Sequence, residues 1–465
     1  MSSPKFGVAL IATLAGAGTI LAAMATPGSA RPEEKTARSI PWKLVGNFSC
    51  AARGCHGAVG PTDPAHGDVF IKNGSSTTWR YFDPHAKAYD VLKSERSLAM
   101  ARALKDTLGG AKPHESKRCL VCHATVDPIV EDFRQFDLAD GVSCEACHGP
   151  AGDWQEAHLS PSWRADLKAR AEAGMTDLAG AKDRARTCTG CHVGERSEGL
   201  DVNHDLIAAG HPRLNFEYSA YLENYPKHWR EKAGTDQKLA SDWAVGQAVM
   251  TRAGLQLLAE RAESAASGRA EGVAGVAPWP EFTETECFSC HHSLTRESWL
   301  PDRGSLSVSP PGRLPWATWT FAMLPELSKV KPGWKVDLAT APWSELKQEM
   351  TRGEPDASKV AELARKAIGV MDGWIESPET KSLTSEELAG LLKDWTENKA
   401  TSPESWDQLA QKTLAISAIA RAGLAQGVDP SILKMAETIV RANLEKLGFP
   451  RGFDSPLGGR PVEAP

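Results

Sequence analysis

All ten cysteines of the chain lie between positions 50 and 290, in five pairs, and a histidine directly follows each pair. Four pairs have the spacing Cys-x-x-Cys-His, and the first has four residues between its cysteines. The motifs are Cys50/Cys55/His56, Cys119/Cys122/His123, Cys144/Cys147/His148, Cys188/Cys191/His192 and Cys287/Cys290/His291. This spacing lets two thiols add to the two vinyl groups of one haem, whose iron the histidine then binds. The pattern predicts five covalently attached haems c, bound through thioether bonds.

Three other roles of paired cysteines fit this pattern less well. Structural zinc would combine one pair with another pair or with two histidines, but it gives no reason for a histidine after every second cysteine. A thioredoxin-like motif would occur once, and a disulfide framework would not repeat the same tripeptide. Because thioether bonds would use all ten cysteines, we expect no disulfide.

Residues 1–30 have the features of a secretory signal peptide. Lys5 precedes an apolar run from Val8 to Met24, and small residues then lead to a cleavage position after Ala30. An uncleaved membrane anchor is the alternative, because the run is close to the minimum length of a membrane span. Covalent haem attachment takes place outside the cytoplasm in bacteria, so the signal and the motifs together predict a periplasmic protein.

The charge of the chain limits its partners. A formal net charge of -6 argues against nucleic-acid binding. We expect periplasmic or membrane-associated redox proteins as partners. A basic protein, or a small anion that binds a local basic patch, remains an alternative partner.

Composition predicts two domains in a mainly α-helical fold. Histidine and cysteine both end at His292, although about a third of the chain follows. We expect a pentahaem domain at 31–300, in which the haems form the core, a Pro-rich linker at 301–316, a helical C-terminal domain at 317–450 and a disordered tail at 451–465.

Helix signals support the helical assignment. Apolar residues at helical spacing predict a helix from about Asp242 to Glu263. In the C-terminal part, the predicted helix starts are a capping box formed by Thr384 and Glu387, then Ser402-Pro403, then Asp429-Pro430, the last helix ending at Gly448 and Pro450.

The motif histidines account for five of thirteen, which leaves eight as possible second ligands. These eight are His66, His85, His114, His158, His204, His211, His228 and His292. An iron held by two histidines transfers electrons, whereas an iron with one open face can also bind a small molecule. The histidine count permits five closed haems but does not decide between these states.

Three segments carry a resemblance to a known family. The segments 83–88 and 141–150, with His158 ten residues after His148, and the segment 207–214 resemble the cytochrome c-554 family of multihaem electron carriers. The resemblance implies that His158 closes the first haem, His85 the third, and His204 or His211 the fourth. It also implies an open second haem at His123. The wider first motif, the fifth haem and the C-terminal domain depart from the family's tetrahaem member.

We therefore expect an electron carrier rather than a catalytic reductase. One alternative is a multihaem oxidoreductase that acts on a small nitrogen or sulfur compound at one open-faced haem, although the Cys-x-x-Cys-Lys motif of a lysine-ligated haem is absent. Another is a docking subunit whose C-terminal helices recruit an oxidoreductase. Arg53 and Arg213 are candidate partners of haem propionates, because a guanidinium group matches a carboxylate.

Overall fold

The computed structural model describes residues 41–66, 69–231, 238–269, 275–291, 314–316, 319–331, 333–334, 339–377, 383–397 and 405–448. All of them belong to one compact unit. The predicted signal peptide, most of the predicted linker and the predicted tail lie outside the described residues. None of the helices in the described part is long and apolar enough to cross a membrane.

The described residues are mainly α-helical, which confirms the predicted fold class; their only strand-like pairings are the isolated bridges Glu195–Leu200 and Thr285–Trp316. The helices before residue 230 are α1 Ser75–Phe82, α2 Ala88–Val91, α3 Glu95–Ala103, α4 Lys117–His123, α5 Cys144–His148, α6 Pro161–Ala165, α7 Leu167–Glu172, α8 Ala181–His192, α9 His204–Ala208 and α10 Tyr218–Asn224. The later helices are α11 Leu239–Ser267, α12 Leu327–Val330, α13 Trp343–Met350, α14 Ala357–Ile375, α15 Ser385–Glu397, α16 Trp406–Ala425 and α17 Pro430–Leu447.

Three of the cysteine motifs occupy the last turn of a helix. The helices α4, α5 and α8 each end at the motif histidine, His123, His148 and His192 respectively. Residues three and four positions apart on a helix lie on one face, so the helical turn brings the two cysteines and the histidine to the same side.

The helix α11 is the longest element and packs against helices from both parts of the chain. It extends the predicted helix by three residues at its start and four at its end, from Leu239 to Ser267. Its neighbours include α8 and α10 on the side of the motifs and α12, α14 and α16 on the C-terminal side, with α14 making the most extensive contact.

One hydrophobic cluster joins the two parts. It contains Phe216 and Trp243 from before the predicted linker, together with Leu346, Leu392 and Ile416 from after it. A second, much smaller cluster surrounds Leu120 next to the second motif. Residues on both sides of the predicted linker therefore contribute to the same core.

The C-terminal helix starts follow the local sequence signals with one exception. The capping box is confirmed: the Thr384 backbone N–H donates to Glu387 Oε2 at 2.8 Å, and the Glu387 N–H donates to Thr384 Oγ1 at 3.3 Å. Asp429 caps α17, as predicted. The helix predicted to open at Ser402-Pro403 starts later, because Ser405 provides the cap of α16. Ser402 and Pro403 lie outside the described residues.

Candidate haem sites

Each of the five motif histidines faces a second histidine. The ring centroids are 6.2 Å apart for His56 and His158, 6.4 Å for His123 and His211, 6.3 Å for His148 and His228, 5.9 Å for His192 and His85, and 6.3 Å for His291 and His204. We call these the first to fifth sites, in the order of their motifs. Ten histidines are thus arranged as five pairs of one motif histidine and one distant histidine.

These separations fit a haem iron between the two rings. A histidine nitrogen binds a metal at about 2 Å, and the nitrogen lies about 1.1 Å from the ring centre, so two histidines on opposite sides of one iron have centroids about 6.3 Å apart. No group of three or more His, Cys, Asp or Glu side chains among the described residues is arranged to hold a single metal ion. The donor set therefore consists of histidine pairs beside cysteine pairs, which is what covalently attached haem requires.

Backbone and carboxylate oxygens orient several of the paired rings. The Nδ1 atoms of His123, His211 and His85 lie 2.9, 2.7 and 2.9 Å from Ala88 O, Pro212 O and Asp83 Oδ1. His158 Nδ1 is likewise hydrogen-bonded to Gln155 O. An oxygen that accepts the Nδ1 proton fixes the tautomer that leaves Nε2 as the metal ligand.

Burial lowers the pKa of six of these imidazoles, which favours the neutral form that binds a metal. Burial, followed by the charges of His228 and His56, lowers the pKa of His148 to about 4. Burial, followed by the charge of His85, lowers the pKa of His192 to about 4. His85 differs: burial, the largest single influence, lowers its pKa, but the hydrogen bond and charge of the Asp83 carboxylate together with the charge of Cys191 outweigh burial and raise the pKa. A carboxylate behind a ligating histidine is a common arrangement at metal sites.

Two of the segments that carry the family resemblance, 83–88 and 141–150, contact each other at His85. The Val142 backbone N–H donates to His85 O at 3.0 Å. At Gly141, φ is +62° and a Cβ atom would lie 2.5 Å from His85 O, so only glycine fits there. The segment 141–150 therefore supports the backbone of a histidine that belongs to the fourth site.

The carboxylate of Glu145, inside the third motif, connects that motif to the chain before the first one. It is buried and accepts hydrogen bonds from the N–H groups of Val45 at 3.0 Å, Gly46 at 2.8 Å and Ala151 at 2.7 Å. Polar contacts therefore hold the third motif against the segment that directly precedes the first motif.

Neighbouring thiols and imidazoles show that the first, third and fourth sites adjoin. A hydrogen bond with Cys144 lowers the pKa of Cys50. Burial, with the nearby thiols of Cys188 and Cys191, raises the pKa of Cys147 to about 12. The first site therefore touches the third, and the third touches the fourth.

The second site lies between the fourth and the fifth. A hydrogen bond with Cys191 of the fourth motif raises the pKa of Cys122 well above its ordinary value. Burial raises the pKa of Cys287 in the fifth motif, while the charge of Arg213, two residues after His211, partly offsets this rise. These contacts join the first site to the third, the third to the fourth, the fourth to the second and the second to the fifth. The second and third motifs also adjoin directly, because the Ser143 backbone N–H donates to Thr125 Oγ1 at 2.7 Å. The first and fifth sites therefore lie at the two ends of this order of neighbours.

The structure rearranges the distal histidines that the resemblance implies. His158 lies opposite the first motif histidine, as implied. His85 faces His192 of the fourth site rather than the third, because 83–88 packs beside the end of α8. His204 and His211 face the fifth and second motif histidines rather than the fourth.

His228 was one of the eight possible second ligands, but the resemblance assigned it to no haem. It faces His148 of the third site. Its neighbours are Tyr225 and Trp229, at 6.0 and 5.4 Å between ring centroids. Histidine count alone pointed to it, since no local motif surrounds it. His114 pairs with no motif histidine and packs against Tyr89 instead. His292 and the side chain of His66 lie outside the described residues.

The two arginines expected at haem propionates differ in their surroundings. Arg213 makes a buried ion pair with Asp407 of α16, so its guanidinium is engaged by protein. Arg53 is exposed beside the first motif.

A comparison with protein families gave one match. Residues 72–149 match the family model described as cytochrome c554 and c-prime. This region belongs to the cytochrome c-554 family. The matched residues include the second and third motifs and His85, and the match supports a c-type cytochrome with covalently bound haem that acts in electron transfer. Neither curated proteins nor solved structures gave a match to the chain.

Proposed function

We propose that this cytochrome is a periplasmic electron carrier with five haems c, each held between two histidines. Haem supplies one-electron redox chemistry when it is bound. The observation that carries the proposal is the set of five histidine pairs with centroids 5.9 to 6.4 Å apart. Each motif contributes two cysteines for attachment and one histidine, and the fold brings the second histidine from elsewhere in the chain.

The second site bears on the alternative of a catalytic, open-faced haem. In the resemblance, the haem at His123 has an open distal face. Here His211 faces His123 at 6.4 Å, and hydrogen bonds orient both rings. This arrangement favours an electron carrier over an oxidoreductase that binds a small nitrogen or sulfur compound.

The first test is a haem count by mass spectrometry together with a low-temperature EPR spectrum of the oxidised protein. We expect five haems, all low-spin. A high-spin signal from one haem would contradict five closed sites. His228→Ala should convert one haem to high spin, whereas His114→Ala, which removes a histidine that faces no motif histidine, should leave all five low-spin.

A second experiment decides which haem His85 serves. His85→Ala should create one high-spin haem. In a background without the fourth haem, Cys188→Ser with Cys191→Ser, the same substitution should create none, because the haem that it serves is already missing. A high-spin haem in that background would place His85 at another site, such as the third.

The order of the sites suggests where partners dock. Cys55 and Cys290 are the exposed cysteines among the ten, and their motif histidines His56 and His291 are exposed as well. We propose that redox proteins dock at the first and fifth sites, which end the order of neighbours. Magnetic coupling between adjacent haems tests this order: loss of the third haem should change the EPR signal of the first site and leave that of the fifth unchanged.

The proposed periplasmic location can be tested separately. The signal peptide predicts that the mature protein starts after Ala30. N-terminal sequencing of the haem-loaded protein from the periplasmic fraction should find that start. A chain that keeps residues 1–30 and stays with membranes would support the anchor instead.

A further inference from the structure

The start of helix α16 is tied to the loop that carries the distal histidine of the second site. Asp407, in the first turn of α16, accepts two hydrogen bonds from Arg213, with Nη1 to Oδ1 and Nη2 to Oδ2 both at 2.7 Å. The side chains are 10% and 1% exposed, for arginine and aspartate respectively. A bidentate pair of this kind fixes orientation as well as distance.

The loop around His211 has little freedom of its own. The His211 backbone N–H donates to Leu206 O at 2.9 Å, and Arg96 donates two hydrogen bonds to Gly210 O, at 2.9 and 2.6 Å. Only Pro212, whose ring restricts φ, separates His211 from Arg213. The position of the Arg213 guanidinium therefore limits where the imidazole of His211 can lie.

The same turn of α16 also contacts the fifth motif. Trp406 packs against Phe288, with ring centroids 5.9 Å apart, and its Nε1–H donates to Leu447 O at the end of α17 at 3.1 Å. The hydrogen bond from Trp406 to the end of α17 therefore fixes the turn of α16 that carries Asp407. The ion pair can transmit that fixed position to the 210–213 loop.

We infer that Arg213 and Asp407 are positioning residues that hold His211 opposite His123, so that the C-terminal helices keep the second iron closed. This inference rests on the proposed ligation of the second haem by these two histidines. It gives α16 a specific role in the state of one haem, beyond packing.

The test is Asp407→Asn, examined as the purified, haem-loaded full chain. Asparagine offers one oxygen instead of two and leaves the buried guanidinium charge without its counterion. We expect five haems by mass, a high-spin EPR signal from one of them, and a rise from zero to one bound cyanide per molecule. Five low-spin haems and no cyanide binding would overturn the inference.

A control removes another bidentate ion pair between helices of the two parts, one that is more exposed to solvent. Arg365 of α14 donates two hydrogen bonds to Glu263 of α11, at 2.8 and 2.7 Å, far from any motif in sequence. Glu263→Gln should leave all five haems low-spin. Asp407→Glu, which keeps a carboxylate, should restore low spin at least partly; no difference between the glutamate and asparagine variants would contradict a positioning role.

Two further variants keep the result interpretable. If Asp407→Asn does not fold, the double variant Arg213→Met with Asp407→Leu removes both buried charges together, which proteins often tolerate. One high-spin haem in it supports the inference, and an unchanged spectrum overturns it. His211→Ala separates the two proposals: if it gives no high-spin haem, the ligation proposal fails; if it does while the pair variants do not, only the positioning inference fails.

Discussion

Before residue 210 the longest helix of the described chain, α8, has 12 residues, whereas α14, α16 and α17 have 19, 20 and 18. The difference extends to packing. Buried apolar side chains near the second motif form a small cluster around Leu120, but α14, α15 and α16 contribute to the large cluster that also includes α11. The large cluster includes few buried residues from before position 230, namely Ala185, Phe216 and Tyr218, so most of the described motif region must obtain its stability from other contacts.

Short helices are marginal in water without tertiary support. In the motif region that support comes partly from buried polar groups. Besides Glu145, Asp201 binds both Arg196 and Arg261 inside the protein. Haem has a large apolar surface, which would add to the packing of this region when it is bound. We infer that this region depends on its cofactor, while the C-terminal helices depend on side-chain packing.

The largest expected effect is the loss of the third haem. Cys144→Ser with Cys147→Ser should reduce the haem count from five to four and make the region 41–230 sensitive to protease, because the third site touches both the first and the fourth. The C-terminal helices should stay resistant. Limited proteolysis with mass mapping measures both.

The fifth site provides the control for that experiment. Cys287→Ser with Cys290→Ser also removes one haem, but its motif lies at the end of the order of neighbours. The other four haems and the protease resistance of 41–230 should remain. Equal sensitivity in the two variants would contradict the proposed order of sites.

A core substitution in the C-terminal region should act in the opposite way. Leu392 of α15 is completely buried in the large cluster, so Leu392→Ala should lower the free energy of unfolding by about 2–5 kcal/mol. The five haems and their spin states should not change. Leu424→Ala is the control, because Leu424 is 71% exposed and should cost little. Denaturation curves and EPR spectra of both variants decide this; a haem lost in the Leu392 variant alone would mean that the regions are not separable.

A polar substitution in the motif region tests whether buried polar groups stabilise that region. Glu145→Ala leaves the N–H groups of Val45, Gly46 and Ala151 without their acceptor, and we expect a loss of about 2 kcal/mol in unfolding free energy. Glu172, whose ion pair with Lys168 is exposed, is the matched control, and Glu172→Ala should cost no more than about 0.5 kcal/mol. Similar losses for both variants would mean that the hydrogen bonds accepted by Glu145 stabilise the fold no more than an exposed ion pair does.

The sequence predicted the features that depend on near neighbours in the chain. The five motif histidines were identified because attachment chemistry fixes their distance from the cysteines. The capping box at Thr384 and the start of α17 at Asp429 followed from residues two or three positions away.

Features that depend on long-range packing were beyond such reasoning. His228 faces His148 across eighty positions of sequence, and nothing local marks it. Arg213 was expected at a propionate because a guanidinium group matches a carboxylate. Its partner, Asp407, comes from α16, which reaches the loop only through the packing of the C-terminal helices.

The smallest expected effect is the stability lost when a helix cap is removed. One cap from each region allows that loss to be compared between the regions. Asp356 caps α14 by accepting a hydrogen bond from the Lys359 N–H at 3.0 Å, and Asp166 caps α7 in the same way from Ala169, also at 3.0 Å. Asp356→Ala should cost about 1 kcal/mol of global stability, because α14 unfolds together with the large cluster. Asp166→Ala should cost less, since α7 buries none of its residues and can fray locally. Denaturation midpoints compare the two, and equal losses would show that the short helices of the motif region unfold as cooperatively as the long ones.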